Sequence, residues 1–285
     1  MTLFSTLKKN AKQSLSGKWG RAILLLVILG GSSLLIAALK QLAVYLLETP
    51  DGGAAGWVGA PASLPLAVIT LGSSLLYFFL VAPLTLGAAG WYVELVRGGP
   101  SSAARVFRYF GSVHLYARAL WYHLQMTVRV GFWSLAFYLV PGGLLISSVY
   151  YYVSRPELTR EVSAISTVGI TLALLLLVLA TFLFILYMNK YALSAYLVCA
   201  DSQLSVTRAI GISTRYTVGY RVSWFWFQLS FLGWFLLCVL FPPAALYAVP
   251  YSRAAFTGYA MYMAEKNRAP GANETQEFVV GEEFD

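Results

Sequence analysis

His114, Arg118, Tyr122, Gln125 and Arg129 recur at intervals of 4, 4, 3 and 4 residues within an otherwise apolar stretch. On an α-helix this spacing stacks all five side chains along one face. Two guanidiniums, an imidazole, a phenol and an amide so aligned present donors and positive charge to an anionic group. Two arrangements satisfy the pattern. In one, the stripe is the headgroup-facing side of a helix entering a membrane, with its arginines on lipid phosphates. In the other, it is the polar wall of a cavity open to the cytoplasm that holds an anionic headgroup or substrate.

A second pair of candidates is Arg253 and Glu94. Arg253 interrupts an apolar run, where a charge is costly and marks a functional position by default. It makes a structural contact to a carbonyl or headgroup, lines a transport pathway, or lies outside the membrane altogether. Glu94 is one of few carboxylates near the apolar zones, and Arg97, three residues on, is a ready local partner. A single carboxylate gives thin support for a proton relay. Pro83, Pro141 and Pro250 also fall inside apolar runs. Each is expected to kink or break its helix, and such breaks are tolerated where protein or a cavity covers the freed backbone.

The usual enzyme patterns are missing. The chain has no GxxxxGK[ST], GxGxxG, HExxH, CxxC or GxSxG. His114 and His123, the only histidines, are nine residues apart and point to opposite sides of one helix, so they cannot share a metal. No catalytic residue, cofactor or metal is expected. Cys199 and Cys238 sit in separate apolar segments and read as small packing residues.

The elements that carry these residues are membrane helices. The 285 residues are 59% apolar and 11% charged, outside the range of soluble domains, and mean hydropathy is +0.68. Ala22–Leu39 and Val162–Asn189 are free of charge over 18 and 28 residues, each enough to cross a hydrocarbon core about 30 Å thick. The expected fold class is therefore all-α, a polytopic membrane helix bundle of about six transmembrane helices with proline-broken segments and cytoplasmic amphipathic helices. The spans are placed at 19–47, 64–96, 112–153, 165–198, 222–241 and 244–263. A basic amphipathic N-terminus (1–18) precedes the transmembrane domain (19–263), and an acidic, disordered cytoplasmic tail (264–285) follows. The stretch 64–96 is about 50 Å of helix, too long for one straight crossing. A five-span version leaves the last stretch, with Pro250 and Arg253, on the outer surface.

The net charge of +8 is spread over helix ends rather than gathered in one patch, which encodes topology and argues against nucleic acid. With both termini cytoplasmic, sixteen Lys and Arg fall inside; Arg155 and Arg160 fall outside, and Lys40 and Arg253 remain unassigned. Asp201 or Ser202 is placed to cap a short cytoplasmic helix. The aromatic run WFWFQLSFLGWF (224–235) follows Arg221, so Trp224 and Trp226 read as interfacial anchors.

Several stretches carry a family resemblance: LKKNAKQSLSGKWGRA (7–22), FWSLAFYLVPGG (132–143), YALSAYLVCADSQLSVTRAIGISTRYTVGYR (191–221), FQLSFLGWFLL (227–237) and VPYSRAAFTGY (249–259). In order and wording the chain resembles the bacterial multi-spanning family called domain of unknown function 975, most specifically in LSFxGW followed by PYxxAxF. The resemblance implies a bacterial cell-membrane protein and the membrane fold class. It names no activity and no catalytic residue. In the family the PG motif usually runs into the Y…YLxxD stretch with little between, whereas here the segment 154–190 intervenes. The expected function is that of a non-enzymatic integral membrane protein acting through contacts with membrane lipids, anionic headgroups at the cytoplasmic face above all, or with another membrane protein. The alternative is a transporter or exporter subunit for a lipid-like or small amphipathic molecule.

Overall fold

A computed structural model describes residues 3–47, 64–100, 102–154 and 160–267. The described residues are helical and include no strand. The elements are α1 (Leu3–Leu15), α2 (Trp19–Leu47), α3 (Leu64–Val96), a 3₁₀ helix (Ala103–Phe110), α4 (Val113–Ser154), α5 (Arg160–Met188), a 3₁₀ turn (Asn189–Tyr191), α6 (Ser194–Ala200), α7 (Val206–Tyr216), α8 (Arg221–Leu229), α9 (Leu232–Leu240), a 3₁₀ turn (Pro242–Ala244) and α10 (Ala245–Lys266). Residues 48–63 and 155–159, most of the two expected polar outer loops, and all but the first residues of the expected acidic tail fall outside the described residues.

Among the described residues, five stretches are long and apolar enough to cross a membrane: Trp19–Leu46, Pro65–Val96, Val113–Val153, Ser166–Ala200 and Arg221–Leu240. The sixth expected span is α10, which is not among them. Most of its apolar side chains beyond the first turn face protein: Ala248, Ala254, Ala255, Tyr259 and Met263 are buried where it packs on α1, α2 and α3. The long helices are divided in the same way. The first half of α3 is bare, with Val68 and Leu71 exposed, while Val81 to Val93 contribute to the core around Trp91. The far part of α2, with Leu34, Leu39 and Leu46 exposed, is also bare, and its first turns bury Ala22 and Leu25. Apolar hairpins thus project from one packed base.

That base is closed by segments that double back. The 3₁₀ helix after α3 does not lead away from it but returns along it, burying Val106 and Tyr109. Gly87 permits the approach, because a Cβ there would collide with the Val106 carbonyl. Consequently α4 starts beside the middle of α3. The Tyr116 hydroxyl donates to the Phe79 carbonyl (2.9 Å), and His123 Nε2 meets Thr85 Oγ1 (2.9 Å). Sequence numbers rise together in both helices there, so α3 and α4 advance in the same sense where they touch. Further along, α4 pairs antiparallel with α5 through Trp133 and Tyr187 (4.3 Å between rings), Phe137 and Phe184 (5.9 Å), and a Tyr138–Thr181 hydrogen bond of 3.2 Å. Lys190 closes the foot of this hairpin, its ammonium lying 3.5 Å from the Tyr187 ring centroid and 4.8 Å from that of Trp133.

The prolines correct the expectation of a break. Pro83, Pro141 and Pro250 all lie inside continuous helices, α3, α4 and α10, and none ends its element. Proline removes the N–H that would bond the carbonyl four residues earlier. For Pro83 that carbonyl belongs to Phe79, and the Tyr116 hydroxyl takes the vacant place. Tyr116→Phe is therefore expected to cost about 1–3 kcal/mol, the cost of leaving a carbonyl unpaired on an apolar helix away from water. In a Pro83→Ala background the same change should cost clearly less, because the restored N–H satisfies Phe79. Equal costs in detergent unfolding titrations of both backgrounds would contradict this account.

The real break lies elsewhere, in the stretch 222–241. It divides into α8 and α9 at Ser230 and Phe231. The Ser230 carbonyl accepts from Lys8 Nζ at 3.1 Å, and the same ammonium lies 4.7 Å from the Phe231 ring centroid. Lys8 reaches it because α1 packs on α10 with Leu7, Ala11 and Leu15, one apolar stripe at intervals of four, leaving Lys9 and Lys12 exposed. Burial draws the Lys8 ammonium below its ordinary pKa.

The fourth expected span also divides. The helix of α5 stops at Met188, and side chains of α7 take over the bonding: Ser213 Oγ donates to the Lys190 carbonyl (2.9 Å) and accepts from Leu193 N (3.2 Å). Neither Asp201 nor Ser202 caps the short helix that follows. Ser205 does, accepting from Arg208 N at 3.4 Å, while the Asp201 carboxylate accepts from Gln203 N (2.7 Å) and shapes the preceding turn.

Candidate functional site

The α4 stripe faces α6 and α7, and its polar groups are engaged by those helices. Arg118 donates through one guanidinium nitrogen to the Ser202 carbonyl and through the other to Val198 (3.1 Å) and Asp201 (2.6 Å). These are carbonyls at and just beyond the C-terminus of α6, groups a helix cannot satisfy itself and where positive charge meets the negative end of the helix dipole. The buried Tyr122 hydroxyl lies 3.0 Å from Ser194 Oγ, which in turn donates to the Tyr191 carbonyl (2.7 Å). Gln125, also buried, donates to Thr207 Oγ1 (2.8 Å). Arg129 turns back onto its own helix, donating to the carbonyl (3.1 Å) and side-chain oxygen (3.0 Å) of Gln125. His114 lies exposed near the start of α4. Four of the five residues thus form one polar seam, and the fifth lies outside it.

Arg253 does not join them. It is exposed on α10, within electrostatic reach of Tyr92 on α3. Glu94 does not meet Arg253 and does not pair with Arg97. It forms an ion pair with Arg105, brought back by the returning 3₁₀ helix. Local spacing favours Arg97, but Gly98, in a left-handed conformation (φ 78°), and Gly99 turn the chain so that Arg105 arrives instead. Arg97 then reaches α6, donating to the Tyr196 hydroxyl at 3.1 Å with its guanidinium 5.6 Å from the ring centroid.

This brings together a cluster that no sequence motif marks: Glu94, Arg97, Arg105, Tyr109, Tyr196 and Cys199, at the junction of α3, the 3₁₀ helix and α6. The Tyr109 hydroxyl contacts Cys199 Sγ (3.6 Å), and the thiol donates to the Leu86 carbonyl (3.4 Å). Burial pushes the Tyr109 phenol well above its ordinary pKa, so it remains a neutral donor. Burial also draws the Arg105 guanidinium down from its usual value, and the Glu94 carboxylate opposes that shift. Cys199 Sγ and Arg105 Nε both lie beside Gly90, 3.7 and 3.9 Å from where a Cβ would stand. Two features were readable in advance, the lone carboxylate and the nearby arginines. The fold-back that joins them was not.

The aromatic anchors separate. Trp226 is 56% exposed, as an interfacial side chain is, but Trp224 is 5% exposed and stacks on Tyr259 (5.1 Å, 27°). Cys199 and Cys238 are both free thiols. Among the described residues no three His, Cys, Asp or Glu side chains gather as a metal-binding group.

Comparison with known proteins adds family membership. Residues 1–266 match the family described as Protein of unknown function (DUF975), and the chain belongs to that family. No curated protein and no solved structure matches it.

Proposed function

We propose that this DUF975 protein is a non-enzymatic integral protein of the bacterial cell membrane that acts through contacts with lipid or with another membrane protein, with both termini cytoplasmic. One observation carries the reading: apolar hairpins with bare outer halves rise from a packed base rich in basic residues. Lys18 and Arg21 of this base reach the Gly99 and Pro100 carbonyls (3.1 and 3.5 Å), and Arg97, Arg105, Arg118 and Lys190 lie in the same assembly. Bare apolar hairpins suit hydrocarbon, and a basic rim beside them suits the anionic headgroups of the inner leaflet.

A transport role for a lipid-like or small amphipathic molecule would draw support from Arg118, Arg129 and Arg253 converging on one cavity. Arg118 instead holds the end of α6, Arg129 holds Gln125, and Arg253 stands on α10. The contact reading accounts for these positions without a shared ligand. Purification of the full chain in mild detergent, followed by lipid and protein mass spectrometry, tests it. Enrichment of anionic lipid over the bulk membrane, or of one membrane protein, is the expected result. A monomer carrying lipid in bulk proportions and no partner would overturn it.

A further inference from the structure

Three guanidinium Nε–H groups are buried without an acceptor, those of Arg97, Arg105 and Arg221. Buried donors are almost always paired, so an orphan asks what normally faces it. Two of the three belong to one place. Arg97 lies against Tyr196, and Arg105 packs beside Cys199. Tyr196 and Cys199 are three residues apart on α6 and share a face, so both guanidiniums border that face.

The charge there is unbalanced. Among the described residues Glu94 is the one carboxylate of the cluster, and it pairs with Arg105, while Arg97 and the exposed Arg108, whose charge acts on Arg105, add positive charge without a carboxylate partner. The neighbouring Tyr109 and Cys199 are neutral donors already directed at each other and at a carbonyl. Their protons are committed to those bonds, and neither accepts from the Nε–H of Arg97 or Arg105, which remain orphaned. The ion pair is also reachable, since the Arg105 and Glu94 side chains are 27% and 22% exposed. An oxyanion with several lone pairs fits this set, and planar guanidiniums suit a phosphate better than a point acceptor. The α4 stripe offers no comparable vacancy, because none of its buried side-chain donors is left without a partner.

We propose that Arg97 and Arg105 form an anion site at the junction of α3 and α6 that takes a phosphate group, supplied by an anionic lipid headgroup at the base of the bundle. This rests on the lipid-contact reading above and locates the contact. Glu94 is then a competing internal anion: it holds Arg105 in place when the site is empty and weakens the ligand when it is filled.

The test uses the full chain in uncharged maltoside micelles, with calorimetric titration of dihexanoyl phosphatidylglycerol, dihexanoyl phosphatidylcholine and inorganic phosphate. Phosphatidylglycerol is expected to bind more tightly than phosphatidylcholine. Arg97→Gln combined with Arg105→Gln should weaken phosphatidylglycerol about tenfold or more, the usual consequence of losing charge-assisted hydrogen bonds. Arg208→Gln, exposed on α7, should leave it unchanged. Glu94→Gln should tighten binding roughly several-fold by removing the competing charge. Loss of phosphatidylglycerol alone identifies the lipid as the source, and parallel loss of inorganic phosphate identifies free phosphate as able to fill the same site. If the double variant does not fold, Glu94→Gln decides: a gain supports the site, and no change overturns it. Anionic-lipid binding indifferent to all these substitutions would overturn the site while leaving the general lipid reading intact. Failure of every probe to bind the wild type would also overturn it, with water satisfying the orphan donors.

Discussion

Trp224→Ala lowers the stability of the folded chain by about 3–5 kcal/mol, the range for a large aromatic removed from a core, whereas Trp226→Ala changes it by less than about 1 kcal/mol. The two residues are two positions apart and equally plausible as membrane anchors in the sequence. Their surroundings differ. Trp224 stacks on Tyr259 and lies 5.9 Å from Phe256, ring to ring, while Tyr259 is held by a 2.7 Å contact between its hydroxyl and Ser223 Oγ. Phe227, wholly buried, fills the next turn against Phe4 of α1 (5.1 Å) and Phe231 (5.5 Å). Removing the indole leaves a hole between α8 and α10, bordered by the rings of Phe256 and Tyr259. Trp226 points outward, and its recorded ring contact is with Phe225 of its own helix (5.9 Å). Unfolding of both variants by a denaturing detergent, against wild type in the same lipid-like micelle, gives the comparison. Quenching by brominated lipid adds an independent one: the Trp226 fluorescence should be quenched and that of Trp224 protected. Equal destabilisation, or equal quenching, would mean that both indoles face lipid.

The contrast between these tryptophans shows what the sequence could and could not tell. Uncharged runs placed α2 and α5, because charge is excluded from long apolar helices whatever they pack against. The side an apolar residue faces is another matter. In a membrane a lipid-facing Leu and a helix-facing Leu are equally content, so composition does not separate the bare end of α3 from its buried end. The fate of α10 follows from the same ambiguity, since its alanines and tyrosines meet protein where the sequence allowed lipid. Helix periodicity put Arg118, Tyr122, Gln125 and Arg129 on one face, but the partners of Arg118 are carbonyls 80 to 84 residues away, and carbonyls leave no mark in a sequence. The expected breaks at the prolines are missing for a related reason. Whether the freed carbonyl of Phe79 breaks the helix depends on a donor from another helix, and Tyr116 supplies it. Glu94 and Arg105 were visible as residue types, yet their pairing depends on the Gly98–Gly99 turn and on the space at Gly87 that lets the chain return along α3.

Arg118→Ala should reveal whether the α4 stripe supports the fold or a ligand. The guanidinium supplies the ends of three bonds to Val198, Asp201 and Ser202, and α6 has only seven residues. A helix that short does not persist by itself, because its hydrogen bonds barely offset the cost of ordering the first turn. It is held from outside, by Arg118 at its C-terminal end and by Tyr122 on Ser194 at its start. Removing Arg118 leaves three carbonyls without their donor and takes a positive charge from the negative end of the helix. Charge-assisted hydrogen bonds are worth about 1.5–3 kcal/mol each and do not add fully, so the expected loss is about 3 kcal/mol. Arg118→Lys should recover less than half, because one ammonium cannot span three carbonyls as a planar fork does. A second readout separates fraying of α6 from a general loss of stability. Cys199 lies in α6, directed at the Leu86 carbonyl, and Cys238 is the other thiol of the chain. In a Cys238→Ser background, Arg118→Ala should speed maleimide labelling of Cys199 under native conditions, since the thiol is released when the last turn of α6 opens. Arg129→Gln, whose partner lies on its own helix, should leave the labelling rate near that of the parent. If Arg118→Ala instead kept stability and Cys199 protection while lipid binding fell, the stripe would be a headgroup contact, and its bonds to α6 would be incidental to what it does.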